Sequence, residues 1–160
     1  AMATDEAAKL FSKYKVLSKQ EIHSRYEIYL EKYAKDINIE AQCSINMTRR
    51  LFIPAVIGFT RELAQTVNSL KSISASVSVQ KELLTRTSVL LDSAANKVAD
   101  LEAVTKKAQG IHEAKARAVA YRDKVVPAMN DLRQDIDTLE TLLPSNEWPV
   151  PTYAEMLFKL

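Results

Sequence analysis

The sequence predicts an all-α fold: an elongated antiparallel bundle of long helices that bend at prolines, followed by a short docking tail. Apolar residues recur at steps of three and four along most of the chain, and no segment of four or more residues alternates strictly between apolar and polar. Helix-start signals and acid–base pairs four residues apart accompany this pattern. We treat residues 1–160 as a single helical domain whose tail covers residues 144–160, and we interpret Ala1-Met2-Ala3 as a cloning scar.

Two helix-start signals lie in the first part of the chain. Thr4 is placed to cap a short helix that extends to about Tyr14, and Ser18 and Glu21 have the spacing of a capping box that begins a long helix. Whether residues 36–38 interrupt the long helix stays open. Its predicted inner face carries Ile22, Tyr26, Tyr29, Tyr33 and Ile37, and then Ala41, Ile45, Phe52, Phe59, Leu63 and Leu70.

A serine-rich segment separates the long helix from the next one. Small hydroxyl side chains compete for backbone hydrogen bonds and favour turns, so we expect a loop near residues 73–78. A helix from Val79 to about Gln109 follows, and Gly110 can end it in the left-handed conformation. Its buried seam repeats every 3.5 residues and consists of Leu84, Thr87, Leu91, Ala94, Val98, Leu101, Thr105 and Ala108.

A further helix is predicted from about residue 112 to residue 143, where Pro144 stops it. Pro54 and Pro127 interrupt otherwise helical patterns, and each should bend its helix because proline lacks a backbone N–H. The similar contexts IPAV and VPAM suggest matched bends, although coincidence is an equal alternative. The inner face of this helix contains Ala118, Tyr121, Val125, Ala128, Leu132, Ile136, Leu139 and Leu143.

The tail differs in composition from the rest of the chain. It contains the single tryptophan, Trp148, together with Pro149 and Pro151, which favour an extended path. Thr152 and Glu155 repeat the capping-box spacing before the apolar turn of residues 156–158. We expect the tail to dock through Trp148 and this turn, either on its own bundle or on a neighbouring subunit.

Composition and charge exclude several classes of function. The chain has 2 glycines, whereas an average domain of this length has about 11, and it has neither a P-loop nor a dinucleotide-binding glycine motif. The formal charge of +2 is spread evenly, which argues against binding to nucleic acid or to an acidic membrane surface. No apolar run is long enough to span a bilayer.

The sequence offers no catalytic, cofactor-binding or metal-binding constellation. His23 and His112 are far apart and are expected on the surface, while Cys43 has no second cysteine and is expected to be a small buried hydrophobic residue. A chain with one cysteine and no signal peptide fits a reducing, cytoplasmic location. The carboxylate pairs Asp135/Asp137 and Glu27/Glu31 are expected on solvated faces.

Aromatic residues are the remaining candidates for binding. Tyr26, Tyr29 and Tyr33 could line a groove for a ligand or partner helix, but core packing with the hydroxyl groups at the core edge is the preferred interpretation. In the tail, Trp148, Tyr153 and Phe158 are the candidate interaction residues, because an aromatic, proline-containing terminus can cover its own bundle or bind another subunit.

Several segments resemble the C-terminal region of type III glutamine synthetases. The resemblance covers about Lys9 to Leu160, and its most specific segments are SRYEIYLEKY at 24–33, YRDKVVPAM at 121–129 and WPVPTY at 148–153. The resemblance implies a parent enzyme that joins glutamate and ammonia with hydrolysis of ATP, that uses Mg or Mn, and that forms a large homo-oligomer. It also implies that the nucleotide, metal and glutamate sites lie outside this chain.

The resulting expectation is a non-catalytic helical domain that docks on the catalytic body of its own chain or on neighbouring subunits. The alternative is an independent helical adaptor whose groove binds a partner helix or a regulator. A free-standing enzyme is the third hypothesis, and it predicts turnover of ATP or binding of metal by the chain alone.

Overall fold

The computed structural model describes residues 4–158, and within that range every regular element is helical. The expectation for residues 1–3 lies outside this range. The helices are α1 (Asp5–Lys13), α2 (Lys19–Met47), α3 (Ile53–Ser72), α4 (Ser78–Gln109), α5 (Ala114–Ala120), α6 (Val126–Leu142) and α7 (Tyr153–Phe158). Short π-helical turns, Thr48–Phe52 and Tyr121–Val125, join α2 to α3 and α5 to α6.

The predicted helix starts are confirmed at atomic detail. The Thr4 hydroxyl accepts from the Ala7 backbone N–H at 3.2 Å. At the start of α2, the Ser18 hydroxyl accepts from the Glu21 N–H, and the Glu21 carboxylate accepts from the Ser18 N–H at 2.7 Å, so the capping box is complete. These bonds satisfy N–H groups that have no partner within the first turn of a helix.

Each proline within the helices, Pro54 or Pro127, lies two residues after the end of one of the π-helical turns. The N–H of Ile53 donates to the Thr48 carbonyl and the N–H of Val126 donates to the Tyr121 carbonyl, five residues back in each case. Pro54 and Pro127 occupy the positions just after these donors, where a missing N–H interrupts the usual ladder of four-residue hydrogen bonds. The similar contexts IPAV and VPAM therefore share the same local geometry.

Helix α4 is the central element and packs against α3, α6 and α2. All six buried residues of α4 belong to the predicted seam, which confirms its 3.5-residue repeat. The cross-helix hydrogen bonds of α4 progress in reverse order along its neighbours. On the α2 side, Gln109 donates to Asn38 and Glu102 accepts from Arg49. On the α6 side, Lys97 donates to the Asp131 carbonyl and Ser93 donates to the Asp135 carboxylate.

The predicted aromatic face of α2 is wrong in its first half. Tyr29 and Tyr33 are 57% and 37% exposed, whereas Ile22 and Ala34 are buried. The buried line advances in steps of four residues, and the two tyrosines lie one position to its side. The two tyrosines therefore lie on a part of the α2 surface that the neighbouring helices leave open.

A buried polar cluster corrects the expectation for Asp135. Its side chain is 11% exposed, accepts from the Lys97 ammonium at 2.7 Å and accepts from the Ser93 hydroxyl at 2.6 Å. Asp135 therefore links α6 to α4, while its sequence neighbour Asp137 is only partly covered. The sequence did not identify this cluster because its members are 38 and 42 residues apart.

Two further local expectations are corrected. Gly110 ends α4 with a φ of −73°, and the left-handed residues in the described part of the chain are Lys15 and Ser74, which follow α1 and α3. Among the acid–base pairs four residues apart, Glu31 and Lys35 approach to 4.0 Å, but Glu102 pairs with Arg49 on another segment instead of with Lys106. Residues 36–38 do not interrupt α2, and the loop of 73–77 agrees with the serine-rich segment.

Candidate functional site

A groove of about 720 Å³ lies beside the C-terminal segment. One wall comes from α2 and the π-helical turn that follows it, the opposite wall from α6, and the end from the tail. We call it the tail groove. Its apolar lining consists of Met47, Phe52, Met129, Leu132, Ile136, Trp148, Val150, Pro151 and Met156.

Trp148 anchors the tail in the molecule. Its side chain is 6% exposed and stacks on Phe52, with ring centroids 4.9 Å apart and planes inclined by 15°. The tail reaches this position through a turn in which the Glu147 and Trp148 N–H groups both donate to the Pro144 carbonyl. The indole N–H is buried and has no hydrogen-bond partner among residues 4–158, so packing of the ring provides the attachment.

Tyr153 fixes the beginning of α7 on α6 by polar contacts. Its backbone N–H donates to Glu140 at 3.0 Å, and its hydroxyl donates to Asp137 at 3.2 Å and accepts from Arg133 at 2.7 Å. The contacts of Arg133 with Tyr153 and then with Asp137 raise the pKa of its guanidinium cation. The ring of Tyr153 is 44% exposed and lies under that cation, which is 5.8 Å from its centre.

Phe158 stands apart from the other two candidate residues. It is 84% exposed, and its neighbours Leu157 and Met156 are 79% and 54% exposed. The Thr152 and Glu155 capping box is formed as predicted, so these apolar side chains belong to a defined helical turn. The tail thus docks on its own bundle through Trp148 and Tyr153, whereas Leu157 and Phe158 are exposed, and docking of this turn on a neighbouring subunit stays a prediction.

The rim of the tail groove is mainly acidic. Glu40 lies on the α2 side, and Asp137 and Glu140 lie on the α6 side, where Arg133 is the balancing cation. Arg133 and Tyr153 engage Asp137, and the Tyr153 N–H engages Glu140, whereas no ion pair to Glu40 forms within residues 4–158. Among these residues, the α2 side of the rim therefore presents an uncompensated carboxylate to solvent.

Cys43 lies on the same α2 wall, which corrects the expectation that it is buried. Its side chain is exposed, and its sulfur is 3.7 Å from the sulfur of Met47. Ala41 and Ile45, its neighbours in sequence, point into the core, and Cys43 points into the groove instead. The helical phase could have located it, since the buried line of α2 passes through 41 and 45.

The remaining sequence candidates do not form a chemical site. His23 is exposed as expected and approaches Glu27 at 3.3 Å, and His112 is exposed as well. Tyr29 borders a small surface depression beside Ile28 and Glu21, not an aromatic groove. Across residues 4–158, no three histidine, cysteine or acidic side chains are grouped as metal ligands, and no helix has the length and hydropathy needed to cross a bilayer.

Comparison with known proteins links the chain to one family. Residues 1–71 match the family described as Glutamine synthetase C-terminal domain. A glutamine synthetase of Butyrivibrio fibrisolvens is 34% identical over 162 residues, an alignment that takes in 98% of this chain and 23% of the relative. For a type-3 glutamine synthetase of Dictyostelium discoideum the identity is 32% over 165 residues, with 97% and 22% covered.

A third relative, a glutamine synthetase of Bacteroides fragilis strain YCH46, is 26% identical over 150 residues, with 90% of this chain and 21% of the relative covered. The chain thus spans less than a quarter of the length of these relatives. In the first two alignments nearly the whole chain is covered.

Proposed function

Because this chain belongs to the C-terminal region of the type III glutamine synthetases, we propose that it is a non-catalytic helical domain that contributes to assembly of that enzyme. In this proposal its tail docks on the catalytic body of the same polypeptide or on a neighbouring subunit. The parent is taken to be a cytoplasmic, homo-oligomeric ligase that joins glutamate and ammonia at the expense of ATP.

One observation carries the proposal: an apolar turn is displayed on a segment that is firmly attached. Trp148 and Tyr153 hold the segment to the bundle, yet Leu157 and Phe158 remain more than three-quarters exposed. Large apolar side chains that are grouped and held outward are typical of a contact surface. If the terminus were flexible, the entropy cost of ordering it on association would offset much of the binding free energy.

The arrangement of the helices supports this role. We infer an antiparallel bundle in which α4 is central, and we infer that the helices change direction at Pro54 and Pro127. Such a bundle is a stiff platform, and the groove and the tail both lie where α2 and α6 meet. We assign ATP and Mg or Mn to the rest of the parent enzyme, and we derive no chemical step from this chain.

The proposal is tested in the full-length enzyme with the double variant Leu157→Ala/Phe158→Ala. We expect loss of the native oligomer, or of glutamine-forming activity, because the displayed contact is removed while the buried core is left intact. The matched control is Ile73→Ala, which changes an equally exposed apolar residue in the loop between α3 and α4. Unchanged assembly and unchanged activity in the double variant would refute the role.

The adaptor alternative is favoured by one feature, the tail groove, whose apolar lining suits the apolar face of an amphipathic helix. The two functions differ in the location of the partner. If the double variant assembles normally, but filling the groove by Ser44→Trp abolishes binding of a separate protein that co-purifies with the intact enzyme, the adaptor function replaces the assembly function.

A further inference from the structure

The tail groove and the apolar turn of α7 lie next to each other, but Leu157 and Phe158 of this turn do not fill the groove. Met156 lines the groove, and the side chains of Leu157 and Phe158 lie beyond it in solvent. The same molecule thus carries an open apolar groove and an unpartnered apolar projection. Surfaces of this kind are self-complementary when two copies are related by a two-fold axis.

We propose that the tail groove of one copy receives Leu157 and Phe158 of a second copy, in a reciprocal two-fold exchange. This inference deepens the proposed function and rests on it, because it names the partner of the tail as another copy of this domain. Each copy donates one projection and accepts one, so both apolar surfaces are covered in a single closed dimer.

The chain cannot place its own Leu157 and Phe158 in its own groove while the tail keeps its attachments. Tyr153 holds the first residue of α7 on Glu140 and Arg133, and Met156 forms part of the groove boundary. Folding the end of α7 inward would break these contacts or displace Trp148 from Phe52. A second copy meets no such restriction, since its α7 enters from solvent.

Charge favours the same occupant. Lys159 follows Phe158 in the sequence, so an incoming α7 brings a cation directly after its apolar pair. The α2 side of the groove offers the Glu40 carboxylate, which has no ion pair within the described residues, whereas Asp137 and Glu140 on the α6 side are engaged by Arg133 and Tyr153. An apolar pair that is followed by a lysine therefore matches both the lining and the rim.

The single cysteine of the chain provides a direct test in the 160-residue protein. Cys43 is exposed inside the groove, so in Phe158→Cys the new thiol of one copy should reach Cys43 of the other. We expect a disulfide-linked dimer on a non-reducing gel after mild oxidation. Leu10→Cys, which places an exposed thiol on α1, is the matched control and should cross-link far less.

Light scattering coupled to size-exclusion chromatography gives the second readout over a concentration series. The unmodified chain should form a dimer, and Leu157→Glu/Phe158→Glu should raise its dissociation constant by at least about tenfold, because charged groups cannot replace buried apolar ones. Ile73→Glu is the control for added charge at an exposed apolar site and should leave the dissociation constant unchanged.

Three results would overturn the exchange. The first is a monomer at every concentration, the second is a disulfide within one chain between Cys43 and the thiol introduced by Phe158→Cys, and the third is equal cross-linking of the Leu10→Cys control. If the isolated chain stays monomeric while Leu157→Ala/Phe158→Ala still disrupts the full-length enzyme, the exchange is wrong and the assembly function stands. If both experiments fail, both proposals fail.

Discussion

Trp148→Ala should destabilise the whole domain, although residue 148 lies in the tail. The indole is 6% exposed and stacks on Phe52. Removing about 200 Å² of buried aromatic surface at about 25 cal/mol per Å² corresponds to a loss of about 5 kcal/mol, which is an upper value because the unfolded chain is partly compact. The unpartnered indole N–H offsets about 1–3 kcal/mol of this. We therefore expect the free energy of unfolding to fall by about 3 kcal/mol.

Urea denaturation followed by circular dichroism measures this difference. Trp148 is the only tryptophan of the chain, so its fluorescence in the unmodified protein reports attachment of the tail while circular dichroism reports the helices. If the tail belongs to the cooperative core, both signals should show the same midpoint. Tyr14→Ala, at a position that is 66% exposed, is the control and should change the stability by less than about 0.5 kcal/mol.

If the midpoint of the fluorescence transition lay at a clearly lower urea concentration than that of the circular dichroism transition, this reasoning would be refuted, because the tail would then detach from an intact bundle. A loss below about 1 kcal/mol in Trp148→Ala would contradict it as well. Trp148→Phe refines the result, since it keeps a ring against Phe52 and should recover part of the lost stability.

Three further predictions concern charged groups. Lys97→Met should lower the free energy of unfolding by about 1–3 kcal/mol in urea denaturation, because it leaves the Asp135 carboxylate unpaired at a site that is 11% exposed, and Lys97→Met/Asp135→Leu should lose less. Arg49→Ala removes an ion pair whose side chains are nearly half exposed, so it should lower the free energy of unfolding by less than about 1 kcal/mol. A loss as large as that of Lys97→Met would contradict the idea that burial of the ion pair sets its contribution. Hydrogen bonds from the Ser18 N–H and hydroxyl lower the pKa of Glu21. The capping box therefore contributes its full stability at pH values above the ordinary glutamate pKa of ~4.3. This contribution is lost as the pH falls through the lowered pKa of Glu21. NMR titration should show the pKa of Glu21 returning toward its ordinary value in Ser18→Ala.

The helices could be predicted because their signals are local. The capping boxes at Ser18 and Thr152, the loop near 73–77 and the 3.5-residue seam of α4 all depend on residues within a few positions of each other. Such patterns operate before any tertiary contact forms, and the fold keeps them. The predicted inner face of residues 112–143 is likewise buried except at Ala128, which is partly buried, because its periodicity continues through the π-helical turn and Pro127.

The errors share a different origin. Periodicity assigns Tyr29 and Tyr33 to the core and Asp135 to solvent, yet each residue lies on a face that a neighbouring helix does or does not cover. The sequence neighbours of Cys43 suggest the core, although its direction on α2 points to the groove. Periodicity predicts that a helix has an inner face, but the extent of the covered surface depends on where the other helices end.

The sequence by itself determined the all-helical class, the positions of the helix starts, the special character of the tail and, through three specific segments, the relation to type III glutamine synthetases. Only the tertiary structure decided that Trp148 is an anchor while Phe158 is displayed, and that α2, α6 and the tail enclose a groove. The physical reason is distance along the chain. Hydrogen bonds within a helix join residues four positions apart, whereas the walls of the groove are contributed by segments about 90 residues apart, whose approach depends on packing of the whole core.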